Sequence, residues 1–558
     1  MTSEIQVPVL IVGAGPIGLA LAALLGQQGV KALLVERREH KPDSAKMIIV
    51  SVRTMEFCRH LGVAEEARDW GFPLDHGLDS VFVTSLQGHE LGRVKTPPLT
   101  VQSDTPFSPE RERPCPQTWF DPILEREVAR HECIEMRYLT QLEDFVQDEE
   151  GVTATLVGTK DGERMTVRCA YLVGCDGYSS TVREKLRIAV RGEKHLDTSV
   201  SVYLTIPDLR GQHRHGDAYR YVFVGDEGVW GVLTTIDGHD FHRFQLIDTH
   251  VEMSGDELQR VLARGLGPEV RFTVNDISTW IRKSTVADRF VDGRVFLAGD
   301  AAHAHPPNGG LGMNTGILDS WNLAWKLAAM LQGWGGPSLL DSYDHERRPA
   351  SARATEESLR NYRRLTPAIS FAGVEAEGAE AAALRARIGA HLVSENEKAW
   401  HPIGVHLGQV YAPSPVVEPG DAWAPESGPG YEPSARAGAR APHAWLPDGR
   451  STLDLFGQGF TLLDLGGDGA EHLLRAAERR QVPITRHRID LPEVVALYEG
   501  GLVLVRPDGH AAWRGLRVDA DEALRLVDLV RGARPLMAGR RAPVLHARYV
   551  DHNEPGGI

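Results

Sequence analysis

Apolar residues fall in blocks whose length and spacing divide the chain into segments of different kinds. Val7–Val12 is a continuous apolar run, short enough for a strand buried on both faces, and Lys31–Glu36 is a second. Between them a glycine-rich turn leads into a helical stretch from Pro16 to Gln28, which Gly29 closes. The unit is βαβ. Two further strand-to-loop junctions have the same character. Ala170–Asp176 is followed by Gly177 and a short helix through Arg183 to Leu186, and Arg294–Ala298 runs into Gly299-Asp300. Pro306–Asn314 reads as a glycine-rich loop, and Ile317–Leu331 as a helix apolar all round and therefore buried.

These junctions lie far apart in sequence, so one nucleotide-binding domain must be assembled discontinuously, from 1–76, 105–194 and 282–400. The pattern differs in 77–104 and 195–281. Runs such as Tyr219–Val224 and Val229–Thr235 are rich in aromatic and β-branched residues and predict an antiparallel second domain. Its sheet is expected to be mostly exposed, with one buried face. Residues 401–440, dominated by Pro, Gly and Ala from about Tyr411, predict a linker or wrapping segment. From 441 to 558, strands at Phe460–Leu465 and Gly501–Arg506 and helices at Glu471–Arg480 and Ala520–Val530 make a small α/β domain. Its last residues, Asn553–Ile558, are expected to fray.

Length and charge narrow the picture. At 558 residues the chain exceeds what a single core sustains. Its 61 Lys and Arg against 76 Asp and Glu leave a net charge of −15, which argues against nucleic acid or an anionic membrane as partner. Glycines break the longest apolar runs, Val9–Val12 and Leu19–Leu25, well short of the roughly 18 residues of a membrane span. The opening Met-Thr-Ser-Glu lacks the basic start of a secretory signal. Cys58, Cys115, Cys133, Cys169 and Cys175 form no CxxC pair, which fits reduced thiols in the cytoplasm.

Gly13-Ala14-Gly15-Pro16-Ile17-Gly18 is a GxGxxG with buried strand before it, helix after it and an acid at the end of the next strand. Gly13 permits the turn, Gly15 lets a diphosphate approach the backbone, and Gly18 lets helix and sheet pack closely. The helix start at Pro16 offers unpaired N–H groups to that diphosphate. Glu36, with Arg37 beside it, is placed to accept hydrogen bonds from an adenosine ribose.

Two more motifs would be idle in a simple dehydrogenase: Cys175-Asp176-Gly177-Tyr178-Ser179-Ser180-Thr181-Val182-Arg183, and Gly293–His303 followed by Pro306–Asn314. Together with the GxGxxG they make residues 7–350 resemble the single-component FAD-dependent aromatic-ring hydroxylases, similar to para-hydroxybenzoate hydroxylase and phenol hydroxylase. The resemblance implies an α/β fold with three parts: a discontinuous Rossmann-type FAD-binding domain, an antiparallel-sheet substrate domain (77–104 and 195–281) and a thioredoxin-like C-terminal domain. That last domain contains no cysteine, so it has no thiol redox chemistry.

The resemblance also assigns sites. Asp176, Gly299 and Asp300 contact FAD, with Asp300 at the ribityl chain; as a residue, Asp300 also reads as a helix N-cap. Gly309, Gly310, Leu311, Gly312, Met313 and Asn314 bring backbone against the flavin ring, with Pro306 beside it, and Gln117 and the Arg53 helix adjoin the cofactor. Lys46 stands where the family commonly has an arginine, supplying a point charge but not a bidentate fork. His303 and His305 lack the companions of a metal site, and none is expected.

The implied reaction uses NADPH or NADH to reduce FAD. O2 then adds at flavin C4a, and the resulting hydroperoxide gives one oxygen to an electron-rich phenol-like or polycyclic ring. Tyr219 and Tyr221, sharing a strand face, are candidates to orient the substrate beside Pro306, against the alternative of ordinary cross-strand packing. Arg220 would then point away, and His213 and His215 read as solvated. Baeyer–Villiger insertion or epoxidation on the same fold is the nearest rival. A disulfide reductase lacks its CxxC, and a flavin-sequestering protein would consume no NAD(P)H. Homodimerisation is left open.

Overall fold

A computed structural model describes residues 4–39, 47–102, 104–247, 253–364, 370–400, 403–419 and 430–534. Lys46 and Asn553–Ile558 lie outside the described residues.

Val9, Leu10 and Ile11 are wholly buried because the strand Glu4–Val12 is central in a parallel sheet. It pairs on one side with Ala32–Val35 and on the other with Arg164–Gly174; Ile134–Arg137 and Val295–Leu297 continue the sheet outward in parallel. The register sets Val12 opposite both Val35 and Gly174, and Gly174 opposite Leu297. Four strands therefore end level, and their sequels share one edge: the GxGxxG, Glu36, Cys175-Asp176 and Gly299-Asp300. Ligands of open α/β sheets bind outside such carboxyl ends. The helix Pro16–Gln27 packs there against the long helix Leu311–Leu331.

Ser80–Val83 and Glu90–Val94 join five strands from residues 198–281 in a seven-stranded, largely antiparallel sheet. The expectation of a mostly exposed sheet is corrected here. One face takes Leu258, Leu262 and Leu266 of the helix Gly255–Leu266 against Val202, Phe223 and Phe244. Across the other, Phe82, Val222 and Val224 meet Ile388 and Leu392 of the helix Ala379–Trp400. Exposure concentrates on the edge strand Thr273–Ile281. Because Ala379–Trp400 packs on this sheet, the range 282–400 does not belong wholly with the nucleotide sheet.

The C-terminal sheet runs Ile484–Arg488, Phe460–Leu465, Gly501–Val505, Ala511–Gly515, with the first two strands parallel and the rest antiparallel. Its core is shared with Trp325 and Trp334, so it is docked rather than tethered. Val416, Val417, Ala435 and Ala439 are buried on the approach, which makes the described part of 401–440 a wrapping segment.

Candidate active site

The turn after Val12 needs glycine for a visible reason. Gly13 has φ +104°, and a Cβ there would lie 2.5 Å from the Cys175 carbonyl oxygen. A Cβ on Gly18 would meet the Gly13 carbonyl oxygen at 1.9 Å, whereas in front of Gly15 nothing stands within 4 Å. A group as bulky as a diphosphate therefore has room where the N-terminal N–H groups of the helix point. Glu36 is fixed at the sheet edge: Oε2 accepts from Ala14 N–H at 3.0 Å and Oε1 from Arg38 N–H at 3.1 Å. Arg37 beside it is exposed. Asp176 accepts from Val182 N–H at 3.2 Å, and burial raises its pKa.

The second half of the site lies against the first. Ile17 of the dinucleotide turn sits where Cβ atoms on Gly299 and Gly316 would collide with it, at 2.8 and 2.6 Å, and Ser320 Oγ donates to the Ile17 carbonyl at 2.8 Å. Asp300 stands exposed at the end of the buried strand Val295–Leu297. The glycine-rich loop is shorter than its sequence suggests. Gly310, at φ +64°, caps a helix that begins at Leu311, so Leu311, Gly312, Met313 and Asn314 form its first turn. Space is open before Gly310, and before Gly312 only His305 Cβ lies at 4.0 Å. This bare, positively polarised helix end fits the anionic edge of a reduced flavin.

Two residues beneath this turn were not singled out from the sequence. Asp319, wholly buried, accepts from Gly299 N–H at 3.0 Å, from His303 Nε2 at 2.7 Å and from Arg347 Nε at 2.8 Å. Burial pushes its pKa up, but His303 and Arg347 prevail and hold it below the carboxylate norm. The signal was present, because an aspartate inside a wholly apolar helix must be paired.

Other expected residues separate. Asn314 Oδ1 accepts from Ser51 N–H at 3.0 Å and its Nδ2 donates to the Ile49 carbonyl at 3.2 Å, clamping the short strand Ile49–Val50 to the helix end. Pro306 is buried beside His305. Gln117 opens the helix Gln117–Ala129; its N–H bonds the Met47 carbonyl, and its side chain donates to Asp121 at 3.1 Å. Arg53 is corrected: its guanidinium donates to Glu56 at 2.7 Å and to the Asp508 carbonyl at 2.7 Å and lies over Trp321, fastening the C-terminal domain.

Between Ile49 and the seven-stranded sheet lies a cavity of about 540 Å³ including its mouth, lined by Leu78, Val94, Leu99 and Pro114 with Ser80, Thr96, Tyr219 and Glu112. Tyr219 and Tyr221 do not share this face, which corrects the expectation. Tyr219 and Arg220 N–H both bond the Asp79 carbonyl, and Tyr219 lies before the strand Arg220–Gly225, so the alternation does not reach it. Among the described residues the buried Tyr219 hydroxyl has no hydrogen-bond partner. Tyr221 packs in the opposite core with its hydroxyl on the Gly216 carbonyl. Arg220 donates to Ser80 Oγ at 2.7 Å and to Asn396 at 2.9 Å. His213 and His215 are mostly covered rather than solvated, with rings 5.9 Å apart. Glu112 escaped notice because Glu110-Arg111-Glu112-Arg113 reads as a solvated charge run.

Fold and site together define a flavoprotein whose dinucleotide cleft lies beside a partly open cavity on the seven-stranded sheet. The profile described as FAD binding domain matches residues 6–358, and that described as aromatic-ring hydroxylase, C-terminal, matches 434–543. The 2,4-dichlorophenol 6-monooxygenase of Cupriavidus pinatubonensis is 31% identical, covering 95% of this chain and 97% of its own. The rebeccamycin biosynthetic enzyme RebC with reduced flavin superposes with a TM-score of 0.89 at 37% identity, over 95% of this chain and all of that one. Aklavinone-11 hydroxylase with FAD and aklavinone gives 0.79 at 31%, over 95% and 99%. The chain belongs to the FAD-dependent aromatic-ring hydroxylases. It is a monooxygenase that uses FAD with NAD(P)H as electron donor, and these relatives favour ring hydroxylation over Baeyer–Villiger insertion. Among the described residues no helix is long and apolar enough to cross a membrane.

Proposed function

We propose that the chain hydroxylates a phenolic ring, of one ring or several, held in the cavity between Ile49 and the seven-stranded sheet. The observation that carries this reading is the contact of Ile17 with Gly299 and Gly316, which joins the diphosphate turn to the flavin turn within one extended cleft. In this reading Gly13, Gly15, Pro16 and Gly18 hold the diphosphate. Glu36 meets the adenosine ribose, Asp300 the ribityl hydroxyls, and the turn Leu311–Asn314 the pyrimidine edge. Bound and reduced, FAD supplies an electrophilic oxygen atom taken from O2. The chain's own part is to orient the ring and to exclude water with Leu78, Val94 and Leu99. Five unbridged cysteines fit a cytoplasmic setting.

The purified protein is expected to be yellow and to be bleached by NADH or NADPH without oxygen, faster with a phenol present. One atom of ¹⁸O2 should appear in the product hydroxyl. Asp300→Ala should weaken FAD retention at least about tenfold, the loss of one charge-assisted hydrogen bond. Full FAD occupancy in that variant would count against the assignment.

A further inference from the structure

Two side chains that line the cavity bring polar atoms closed off from solvent that meet no partner among the described residues: Arg113 Nε and the Tyr219 hydroxyl. Both offer a proton, and neither finds an acceptor. Tyr219 is buried and Arg113 half-buried. A closed-off donor without an acceptor lowers stability, so each is a demand that a ligand can meet. Glu112 lines the cavity too, but it is exposed and makes no such demand.

The charges around Arg113 leave its guanidinium without a counter-ion. Glu110 is held by Arg59 at 3.1 Å and Arg68 at 3.0 Å, and Asp69 is exposed. Arg111 is a like charge, bound to the Gln102 carbonyl and Asp104, each at 2.6 Å. Burial, then Arg111 and Arg68, lower the Arg113 pKa, a penalty that a nearby anion relieves. At the Tyr219 hydroxyl, Arg243 and Arg220 act against Glu112 alone, so cations prevail there as well. The position of Arg113 is fixed. It pairs with Val50, and Pro114 with Ile49, while Trp70 Nε1 donates to the Pro114 carbonyl at 2.6 Å. Asn314 clamps the partner strand to the helix end where the flavin is assigned.

From this the geometry points to an aromatic acid as the substrate: a phenolic ring whose carboxylate is received by Arg113, while the Tyr219 hydroxyl donates to a second oxygen of the same molecule. The inference rests on the function proposed above and narrows it. A guanidinium presents a planar fork of N–H groups that matches the two oxygens of a carboxylate. Apolar walls with a few placed donors are what fixes the orientation of a small ligand, and Leu78, Val94 and Leu99 supply the walls. Because Arg113 belongs to a ladder fastened to the flavin turn, the place of the carboxylate on the ring decides which carbon is offered for oxygenation. Arg113 is thus a specificity residue and takes no part in the oxygen transfer. The charge of a carboxylate does not change along that reaction, so its contact with Arg113 should register in binding and KM rather than in kcat.

The test compares holoenzymes of wild type, Arg113→Met and Arg113→Lys on acids and their neutral amides: salicylate, 3-hydroxybenzoate, 4-hydroxybenzoate and 3-hydroxy-2-naphthoate, each against its carboxamide. Dissociation constants come from the change in flavin absorbance without NAD(P)H, and kcat and KM from product formation. Wild type should bind at least one acid roughly 10–100-fold more tightly than its amide, the worth of a charge-assisted hydrogen bond. Arg113→Met should keep its FAD and lose that preference, raising KM for the acid and leaving the amide within about twofold. Arg113→Lys should keep part of it, as a point charge without the fork. A wild type that retains FAD but binds no acid better than its amide overturns the proposal. So does an Arg113→Met enzyme that is equally impaired on both members of a pair, or one that keeps the preference. Where Arg113→Met fails to fold, the wild-type pairs and Arg113→Lys decide by the same criteria. A wild type that binds no FAD and oxidises no NAD(P)H instead removes the function on which the proposal rests.

Discussion

Glu346 and Glu112 are both carboxylates, the first buried and the second exposed while lining the cavity, and the molecule treats them in opposite ways. Glu346 lies where the C-terminal domain docks. Arg506 grips both of its oxygens, at 2.7 and 2.9 Å, while Lys326 and Asn322 each donate to Oε2 at 2.7 Å and Ser414 to Oε1 at 2.6 Å. Asp508 completes the cluster through Arg506 and Asn322, and its carbonyl accepts from Arg53, whose neighbour Glu56 pairs with Arg440. Burial would raise Glu346, but Arg506 and Lys326 outweigh it and bring the carboxyl down to about 2. Glu112 lines the cavity yet stays exposed. Fully paired buried charge fixes one arrangement of domains, whereas an exposed carboxylate can be left to solvent at little cost.

The largest effect should come from breaking the paired cluster. Glu346→Ala leaves Lys326 buried without its counter-ion and Arg506 with Asp508 alone, a cost of about 3–5 kcal/mol. Denaturant unfolding should register it as an earlier midpoint, together with loss of the C-terminal domain's docking. An unchanged midpoint would mean that water enters and solvates the cluster, and the contrast between the two regions would disappear.

The pH dependence sharpens the same contrast. Glu346 has its folded pKa lowered from 4.5 to about 2, so its contribution is present above 4.5 and lost as pH falls through 2. Glu112 is exposed and should contribute no comparable pH dependence. Wild type and Glu112→Gln should therefore melt alike from pH 5 to pH 8. The deficit of Glu346→Ala should instead shrink as the pH approaches 2. A Glu112→Gln variant that melts higher than wild type at pH 8 would show that the cavity shields this carboxyl from solvent.

The docking residues and the cavity were unequally legible in the sequence. Gly13, Gly15 and Gly18 announce a diphosphate turn because steric need restricts the residue type. Asp300 follows from its place after a buried strand. Tyr219 and Tyr221 could not be separated, since strand alternation is a local rule and the strand's start at Arg220 is set by pairing with another strand. Arg53 lies in a motif-like run, yet its partner Asp508 is 455 residues away. Glu112 sits among charges that look solvated and is indeed exposed, and only the fold brings it to the cavity lined by Ile49, Leu78 and Leu99. Long-range packing, which one chain read locally does not display, accounts for each of these differences.

The two tyrosines provide the smallest and most local test. Tyr221→Phe removes a hydroxyl that bonds the Gly216 carbonyl inside the core, so it should cost about 1 kcal/mol of stability and leave hydroxylation unchanged. Tyr219→Phe removes a buried hydroxyl with no partner among the described residues, so stability should hold or rise. Its loss should appear in turnover of the phenol, roughly 2–10-fold, the worth of a single hydrogen bond of about 0.5–1.5 kcal/mol. The reverse outcome, with Tyr221 governing turnover and Tyr219 only stability, would put the substrate on the other face of the sheet.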